Sequence, residues 1–322
     1  MPDIPLLEHL PRVLVVDPIA PAALAELRAT YAVTVHLQPT PADLLHLLEA
    51  ADAIVLRSGI ALPAEMIEAA RDLRVIARAG NGTDNIDLAA AKRAGIQVFN
   101  IPSVSSGAVA ELALGLTFAV ARQIALADRQ VRDGVWDKPA LAGPELTGKT
   151  MGIVGLGNIG SRLAQLATGV GMNVVATVAH PSRERRYKCA RRGIQLADLS
   201  DVLAWSDVVT LACPLTDRTR HLIAAAQLAT MKSTAYLVNV ARGDVVDEDA
   251  LYKALEQRVI AGAAADVHAV ERATSPLAKL NNVVLTPHIG AMSTDAQDRI
   301  GELLTLGLAR ALSGRDAPTR IC

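Results

Sequence analysis

The sequence contains little cysteine and no excess of charge of either sign. Its 322 residues include Cys189, Cys213 and Cys322, which are too few and too scattered for a disulfide framework or a metal cluster. A formal net charge of −1 gives the chain as a whole no attraction to nucleic acid or to an anionic membrane. We therefore expect no metal site, no nucleic-acid partner and no membrane partner.

Signals for secretion and membrane insertion are also missing from the sequence. The N-terminus carries Asp3, Glu8 and Arg12, so the uncharged core of a signal peptide is absent there. The segment 163–182 has no formal charge, but its glycines and its proline indicate a helix end, a turn and a buried strand. These features predict a soluble cytoplasmic protein.

Short runs rich in valine and isoleucine alternate with segments that begin at proline, Asp or Asn, a pattern typical of strands and helices in a parallel α/β fold. In the first hundred residues the predicted strands are 12–16, 33–37, 53–56, 74–77 and 97–99, and the predicted helices are 21–29, 41–50, 63–70 and 85–94. A second series of predicted strands covers 149–154, 173–178, 208–211, 235–239, 261–265 and 283–285. We predict a connecting helix over 109–131 and a final helix over 294–312.

At this length two domains are expected. The predicted architecture is therefore two Rossmann-like, doubly wound parallel-sheet domains, with the active site in the cleft between them.

A glycine-rich loop follows the first strand of the second series. Gly155, Gly157 and Gly160 form the pattern G-x-G-x-x-G between a predicted strand and a helix from about Ile159. In this context the first glycine permits a tight turn, the second lets a pyrophosphate approach the backbone, and the third lets the helix pack on the strand. The start of the helix, at Asn158 and Ile159, offers unpaired N–H donors to phosphates. The loop predicts dinucleotide binding.

The acidic residue that usually binds the ribose hydroxyls is missing from the next strand. Val178 occupies that position and cannot accept a hydrogen bond. A basic run follows, consisting of Arg183, Arg185, Arg186, Lys188, Arg191 and Arg192. An arginine near this position accommodates a 2′-phosphate, although such a run can equally be a solvated helix face. We predict NADP(H) in preference to NAD(H), with His180 and Arg183 as contacts.

Arg242, Glu271 and His288 provide the groups that proton-coupled reduction of a 2-oxo acid requires. The Arg242 guanidinium can bind a substrate carboxylate in a planar fork. His288 can donate a proton to the keto oxygen or accept it in the oxidative direction. A nearby Glu271 would favour the imidazolium form of His288.

The order of motifs resembles the D-isomer-specific 2-hydroxyacid dehydrogenase family, which includes phosphoglycerate dehydrogenases and hydroxypyruvate and glyoxylate reductases. The matching segments are 79–87, 109–112, the glycine loop, 206–209, 213–216, 239–243, 265–267 with Glu271, and 286–290. The resemblance implies that Arg242, Glu271 and His288 are catalytic. It also implies a flavodoxin-like substrate domain formed by 1–102 and 292–322, and a dinucleotide-binding Rossmann domain formed by 103–291.

The resemblance further implies a larger set of binding residues and a homodimer formed through the coenzyme domains. Beyond the glycine loop, the expected cofactor contacts are Cys213, Pro214, Val240, Ala241, Arg242, Asp266, His288 and Gly290, with Asp266 beside the nicotinamide carboxamide. The expected substrate contacts are Arg57, Ser58, Gly80, Asn81, Gly82 and Arg242. Because the chain ends at Cys322, we expect no additional regulatory domain.

The function expected from this resemblance is NAD(P)-dependent hydride transfer between nicotinamide and a small 2-oxo acid or D-2-hydroxy acid, of the hydroxypyruvate or glyoxylate type. A 3-phosphoglycerate-type substrate, or another anionic three-carbon acid, is an alternative in the same class, for which Arg57 and Arg78 could bind the second anionic group. An alternative from another class is a dinucleotide-sensing binding protein similar to a transcriptional corepressor.

Overall fold

Short runs of mostly apolar residues form the strands of two separate sheets. The computed structural model describes residues 10–271 and 273–322, and the chain divides into a first unit, Met1–Ser105 with Met292–Cys322, and a second unit, Ser106–Ala291. Within each unit the paired strands are parallel, in a five-stranded and a seven-stranded sheet. The predicted class of two parallel-sheet α/β domains is confirmed.

The first unit alternates strands and helices. Its strands are β1 Arg12–Val15, β2 Ala32–Val35, β3 Ala53–Leu56, β4 Val75–Arg78 and β5 Gln97–Asn100. Its helices are α1 Pro21–Thr30, α2 Pro41–Leu48, α3 Ala64–Ala69, α4 Leu88–Arg93 and, from the end of the chain, α12 Thr294–Leu312. The strand order β2-β1-β3-β4-β5 is that of flavodoxin-like sheets.

Helix α12 completes the core of the first unit. Its buried residues include Ile300, Leu304 and Leu308, which join the cluster that covers one face of the sheet. A Cβ atom on Gly307 would overlap the ring of the fully buried Phe99, so a glycine is required where α12 crosses β5. The sheet is therefore buried by helices that come from both ends of the chain.

The second unit has the strand order β12-β11-β10-β9-β6-β7-β8, which is the classical dinucleotide-binding order with one more strand. Its strands are β6 Thr150–Val154, β7 Asn173–Thr177, β8 Ile194–Leu196, β9 Val208–Leu211, β10 Tyr236–Asn239, β11 Gly262–Ala265 and β12 Val283–Leu285. Its helices are α5 Ser106–Ala121, α6 Ile124–Arg132, α7 Asn158–Gly169, α8 Arg183–Ala190, α9 Leu199–Trp205, α10 Ala225–Thr230 and α11 Glu248–Glu256. Short 3-10 turns lie at Pro139–Leu141, Gly243–Val245 and Pro276–Lys279.

The prediction of one helix over 109–131 is wrong. Helices α5 and α6 meet at an angle of 62°, and Gln123 between them has a left-handed backbone with φ 51°. The Gln123 side-chain amide donates to the carbonyl oxygens of Ala140 (3.4 Å) and Ala142 (3.1 Å), so contacts with a later segment stabilise the break. In the part of the chain that the structure describes, no single helix has the length and hydropathy to cross a membrane, and only the bent pair α5 and α6 taken together matches such a segment in length and composition.

Candidate active site

Most of the predicted cofactor and catalytic residues follow the carboxyl ends of the strands of the second sheet. The last residues of neighbouring strands are paired: Leu285 with Ala265, Ala265 with Asn239, and Asn239 with Leu211. Val154, at the end of β6, pairs with both Leu211 and Thr177. Because all the strands are parallel, the residues that directly follow each strand lie in a row along one edge of the sheet. Ligands of open α/β sheets bind at this edge.

The glycine loop fits the pyrophosphate of a dinucleotide. Gly155 has φ +99°, and a Cβ there would lie 2.8 Å from the carbonyl oxygen of Ala212, next to Cys213. A Cβ on Gly160 would overlap the carbonyl oxygen of Gly155, so α7 approaches the loop closely. A Cβ on Gly157 would meet no atom within 4 Å, which leaves its backbone open at the start of α7. Gly155 and Gly160 therefore allow close packing within the loop, and Gly157 leaves its backbone accessible to a pyrophosphate.

Four residues of the basic run lie in helix α8, which begins beside this loop, and Arg191 and Arg192 follow the end of the helix. Ser182 caps the helix by accepting the backbone N–H of Arg185 at 3.1 Å. The half-buried Arg185 side chain donates through Nη2 to the carbonyl oxygen of Leu156, inside the glycine loop, at 2.8 Å. The predicted contacts His180 and Arg183 are both exposed on the connection from β7 and at the start of α8. Sequence reasoning identified Arg185 only as one member of the run, because nothing in the local pattern indicates which arginine turns inward.

His288 and Glu271 form a hydrogen-bonded pair. The Nδ1 atom of His288 contacts the Oε1 atom of Glu271, and the two side chains are 25% and 36% exposed. His288 has a left-handed backbone, with φ 55°, and its own N–H donates to the backbone carbonyl of Asp266 at 2.8 Å. The structure thus brings together two residues that are 17 positions apart in the sequence. An imidazole that a carboxylate orients through Nδ1 has Nε2 as its second proton-transfer atom.

Asp266 organises the loop that carries His288. Its carboxylate is only 2% exposed and accepts three hydrogen bonds, from the hydroxyl of Thr286 (2.6 Å) and from the backbone N–H groups of Ile289 (2.8 Å) and Gly290 (2.8 Å). These donors lie on both sides of His288. Both oxygens of Asp266 are therefore engaged within the chain, a supporting role that the sequence did not reveal.

Arg242 lies on a third loop, which Asn239 fixes from the end of β10. The buried Asn239 side chain accepts the N–H of Ala241 at 3.0 Å and donates to the carbonyl oxygen of Arg242 at 2.9 Å. A Cβ on Gly243 would overlap the carbonyl of His268, so the Arg242 loop packs closely on the segment that leads to Glu271. Arg242, Glu271 and His288 thus follow three neighbouring strands, β10, β11 and β12.

The predicted substrate residues of the first unit lie on two adjoining loops, after β3 and β4. Asn85 donates to the carbonyl oxygens of Arg57 (2.7 Å) and Ile60 (2.5 Å), which ties the Arg57–Ser58 loop to the segment that follows Gly80, Asn81 and Gly82. The Arg57 guanidinium donates to Gln297 Oε1 at 3.2 Å, and burial lowers the pKa of Arg57 while Asp17 opposes this shift.

Arg78 is buried, and its guanidinium packs against Gly80, which has φ +150°. A Cβ on Gly80 would overlap that guanidinium. Arg78 therefore supports the loop that begins at Gly80.

Arg242, Glu271 and His288 therefore follow consecutive strands of a sheet that has the classical dinucleotide-binding order. Residues 114–290 match the model of the D-isomer specific 2-hydroxyacid dehydrogenase, NAD binding domain. The chain belongs to the D-isomer specific 2-hydroxyacid dehydrogenase family. It carries the nicotinamide-cofactor-binding domain of that family.

Relatives from several organisms resemble the chain over most of its length. It is 42% identical over 264 residues to a hydroxypyruvate reductase of Thermotoga maritima, covering 80% of this chain and 84% of the relative. It is 39% identical over 323 residues to a glyoxylate reductase of Thermofilum pendens, covering 97% and 94%. A D-3-phosphoglycerate dehydrogenase of Methanocaldococcus jannaschii is 40% identical over 305 residues, covering 94% of this chain, but the chain spans only 58% of that relative's length.

A solved structure of an acyclic imino acid reductase, in complex with NADPH and D-Arg, has a TM-score of 0.84 to this chain at 28% identity. The likeness covers 97% of this chain and 100% of that one.

Proposed function

We propose that the protein is an NAD(P)-dependent D-2-hydroxyacid dehydrogenase that acts on a small 2-oxo acid and the corresponding D-2-hydroxy acid. The observation that carries this proposal is the His288–Glu271 pair, which lies on strand ends next to that of Arg242, on the same sheet edge as the glycine loop. Gly155, Gly157 and Gly160 would hold the pyrophosphate of the cofactor. When bound, the nicotinamide supplies or accepts the hydride.

The three side chains would perform the remaining steps. Arg242 binds the substrate carboxylate through its planar fork and turns the keto carbon toward the cofactor side of the site. His288 donates a proton from Nε2 to the keto oxygen during reduction and accepts it during oxidation. Glu271, at Nδ1, fixes the orientation of the ring, so that Nε2 faces the substrate. Asp266 and Gly290 would serve by shaping the His288 loop.

We infer a preference for NADP(H) over NAD(H). Val178 offers no acceptor for a ribose hydroxyl at the end of β7. Arg185, tied to Leu156, presents a cation beside the glycine loop, and the exposed His180 and Arg183 lie on the same connection. A bound 2′-phosphate would gain charge-assisted hydrogen bonds there. The likeness to a reductase solved with NADPH is consistent with this inference.

We propose hydroxypyruvate or glyoxylate as the substrate class, because the two relatives named for these activities align over most of their own length. 3-Phosphoglycerate is the second candidate, since 40% identity connects the chain to D-3-phosphoglycerate dehydrogenases. A phosphate group would need a second cation in the substrate domain. Arg57 and Arg78 are the candidates, but Arg57 already contacts Gln297 and Arg78 is buried under Gly80. These contacts favour the smaller acids.

A homodimer is also proposed, through the second unit. Helix α6 has no buried residue, although Ile124 and Val131 are apolar and more than half exposed. Trp136, which follows this helix, is 75% exposed. Several large apolar side chains exposed on one short stretch of the chain are typical of a protein interface. We expect Trp136→Glu to shift the molar mass measured by size-exclusion chromatography with light scattering from dimer to monomer, and an unchanged mass would contradict this choice of surface.

The test of function follows the oxidation of NADPH and NADH separately, by absorbance, with hydroxypyruvate, glyoxylate and other small 2-oxo acids. The reverse reaction is tested with 3-phosphoglycerate. We expect turnover of the small 2-oxo acids with NADPH preferred. Dinucleotide binding without any turnover would contradict the dehydrogenase and favour the corepressor-like alternative.

The cofactor preference is tested with Arg185→Ala, with Arg192→Ala as a control from the same basic run. Loss of one charge-assisted contact would weaken NADPH binding about 10-fold or more and leave NADH binding nearly unchanged. Isothermal titration calorimetry measures both affinities without turnover. An equal loss of affinity for NADPH and NADH would show that Arg185 stabilises the glycine loop and does not select the cofactor.

A further inference from the structure

One carboxylate hydrogen-bonds to both ends of the loop that carries Glu271. Glu248 is the first residue of α11, and its Oε2 atom accepts the backbone N–H of Ala269 at 3.2 Å. Its Oε1 atom accepts the hydroxyl of Ser275 at 2.6 Å. Ala269 precedes Glu271 by two residues, and Ser275 follows it by four. Glu248 therefore spans the base of this loop from outside it.

The described residues of this loop are mostly exposed to solvent. Ala269, Val270, Glu271, Ala273 and Thr274 are all exposed, so no burial in the core orders this stretch. Glu248, by contrast, belongs to a helix that is capped and packed on the core. Asp247 caps α11 by accepting the N–H of Ala250 at 3.0 Å, and the helix buries Leu251 and Leu255. The half-buried carboxylate of Glu248 thus connects the packed helix α11 to the exposed loop that carries Glu271.

We propose that Glu248 is a positioning residue, which places the Glu271 carboxylate against Nδ1 of His288. This proposal rests on the proposed function, because it assigns Glu248 a role in turnover through Glu271. Glu248 itself lies at the base of the loop and acts on the reacting groups only through the two hydrogen bonds. A displacement of about 1 Å in a catalytic group can lower a rate about 100-fold, so a clamp of this kind matters for kcat.

The chemistry of the two contacts provides a conservative replacement. Glutamine in place of Glu248 can accept the Ala269 N–H through its Oε1 atom and donate from Nε2 to the Ser275 hydroxyl oxygen. Alanine can make neither contact. Asp249 supplies a matched control, because it is an exposed acid in the same first turn of α11 and has the same relation to the helix dipole.

The experiment compares Glu248→Ala, Glu248→Gln and Asp249→Ala with the wild type. We expect Glu248→Ala to lower kcat about 10- to 100-fold, with the Kd for the coenzyme changed by less than about 2-fold. Glu248→Gln should retain kcat within about 3-fold of the wild type, and Asp249→Ala should leave it unchanged. A loss of kcat in Glu248→Gln as large as in Glu248→Ala would refute the clamp.

A second background separates positioning from a general structural effect. In Glu271→Ala protein the carboxylate to be positioned is missing, so adding Glu248→Ala should lower kcat by less than about 2-fold. An equal loss in both backgrounds would overturn the proposal. Amide hydrogen exchange of the 268–275 segment gives a readout that needs no turnover. We expect faster exchange in Glu248→Ala than in Asp249→Ala, and identical exchange would also overturn it. A wild-type protein without dehydrogenase activity would instead refute the proposed function.

Discussion

Replacing Asp266 by Asn tests whether one buried carboxylate organises the His288 loop. The asparagine oxygen can still accept from Thr286 and Ile289, but its NH2 group would face the Gly290 N–H, which now donates to Oδ2 at 2.8 Å. The variant loses one charge-assisted hydrogen bond and leaves a buried donor without an acceptor. Each effect costs on the order of 1–3 kcal/mol, and because they overlap we expect a loss of about 2–4 kcal/mol in the free energy of unfolding.

Differential scanning calorimetry measures this effect in the intact protein. For a domain of the size of the second unit, each kcal/mol lowers Tm by roughly 2–4 °C, which gives a decrease of about 4–16 °C for Asp266→Asn. Thr286→Val is the matched control, since it removes one of the three donors at nearly constant volume and should cost about 1.5 kcal/mol. A decrease in Asp266→Asn no larger than in Thr286→Val would refute the assignment of Asp266 as the centre of the loop.

Three further outcomes follow from the assigned contacts. His288→Ala should lower kcat about 100- to 10,000-fold with coenzyme affinity nearly intact, and unchanged turnover would remove His288 from the mechanism. Arg242→Ala should raise KM for the 2-oxo acid and lower kcat together, so normal saturation kinetics would contradict its role. Burial opposes ionisation of Asp207, but hydrogen bonds from Thr150 N–H and Lys232 outweigh it, and its folded-state pKa lies below the usual value. The ionised Asp207 therefore stabilises the fold above about pH 4, and this stabilisation is lost as the pH falls through the folded-state pKa. Asp207→Asn should lower Tm at pH 7, and the difference in Tm from the wild type should shrink as the pH is lowered. A difference in Tm that does not change with pH would contradict this assignment.

Local patterns predicted the features that depend on local sequence. The strands β3, β9 and β12 and the helix α12 have the predicted bounds, because runs of branched apolar residues and capped amphipathic segments determine them. The glycine loop was likewise predicted to lie between a strand and a helix, because the spacing of its glycines is typical of such a turn. The predicted approach of Glu271 to His288 rested on the family resemblance, and the structure places the two in contact.

The features that were not predicted depend on contacts between distant parts of the chain. The break at Gln123 has neither proline nor glycine, and the segment after Pro139 stabilises it by accepting hydrogen bonds from the Gln123 side-chain amide. The three-residue strand β8 is too short to give a recognisable alternation. Glu248 reaches Ser275 across 27 positions, and Arg185 reaches Leu156 across 29, so neither contact has a signature in its own segment.

The separation of α12 from the other elements of the first unit has a consequence for biosynthesis. A ribosome completes β1 to β5 early, but the helix that covers Phe99 is made only after the whole of Ser106–Ala291. During that interval one face of the first sheet lacks its apolar cover, whereas the second unit is continuous and can fold as soon as it emerges. Residues 1–105, about a third of the chain, therefore keep this apolar face exposed during synthesis until α12 has been made.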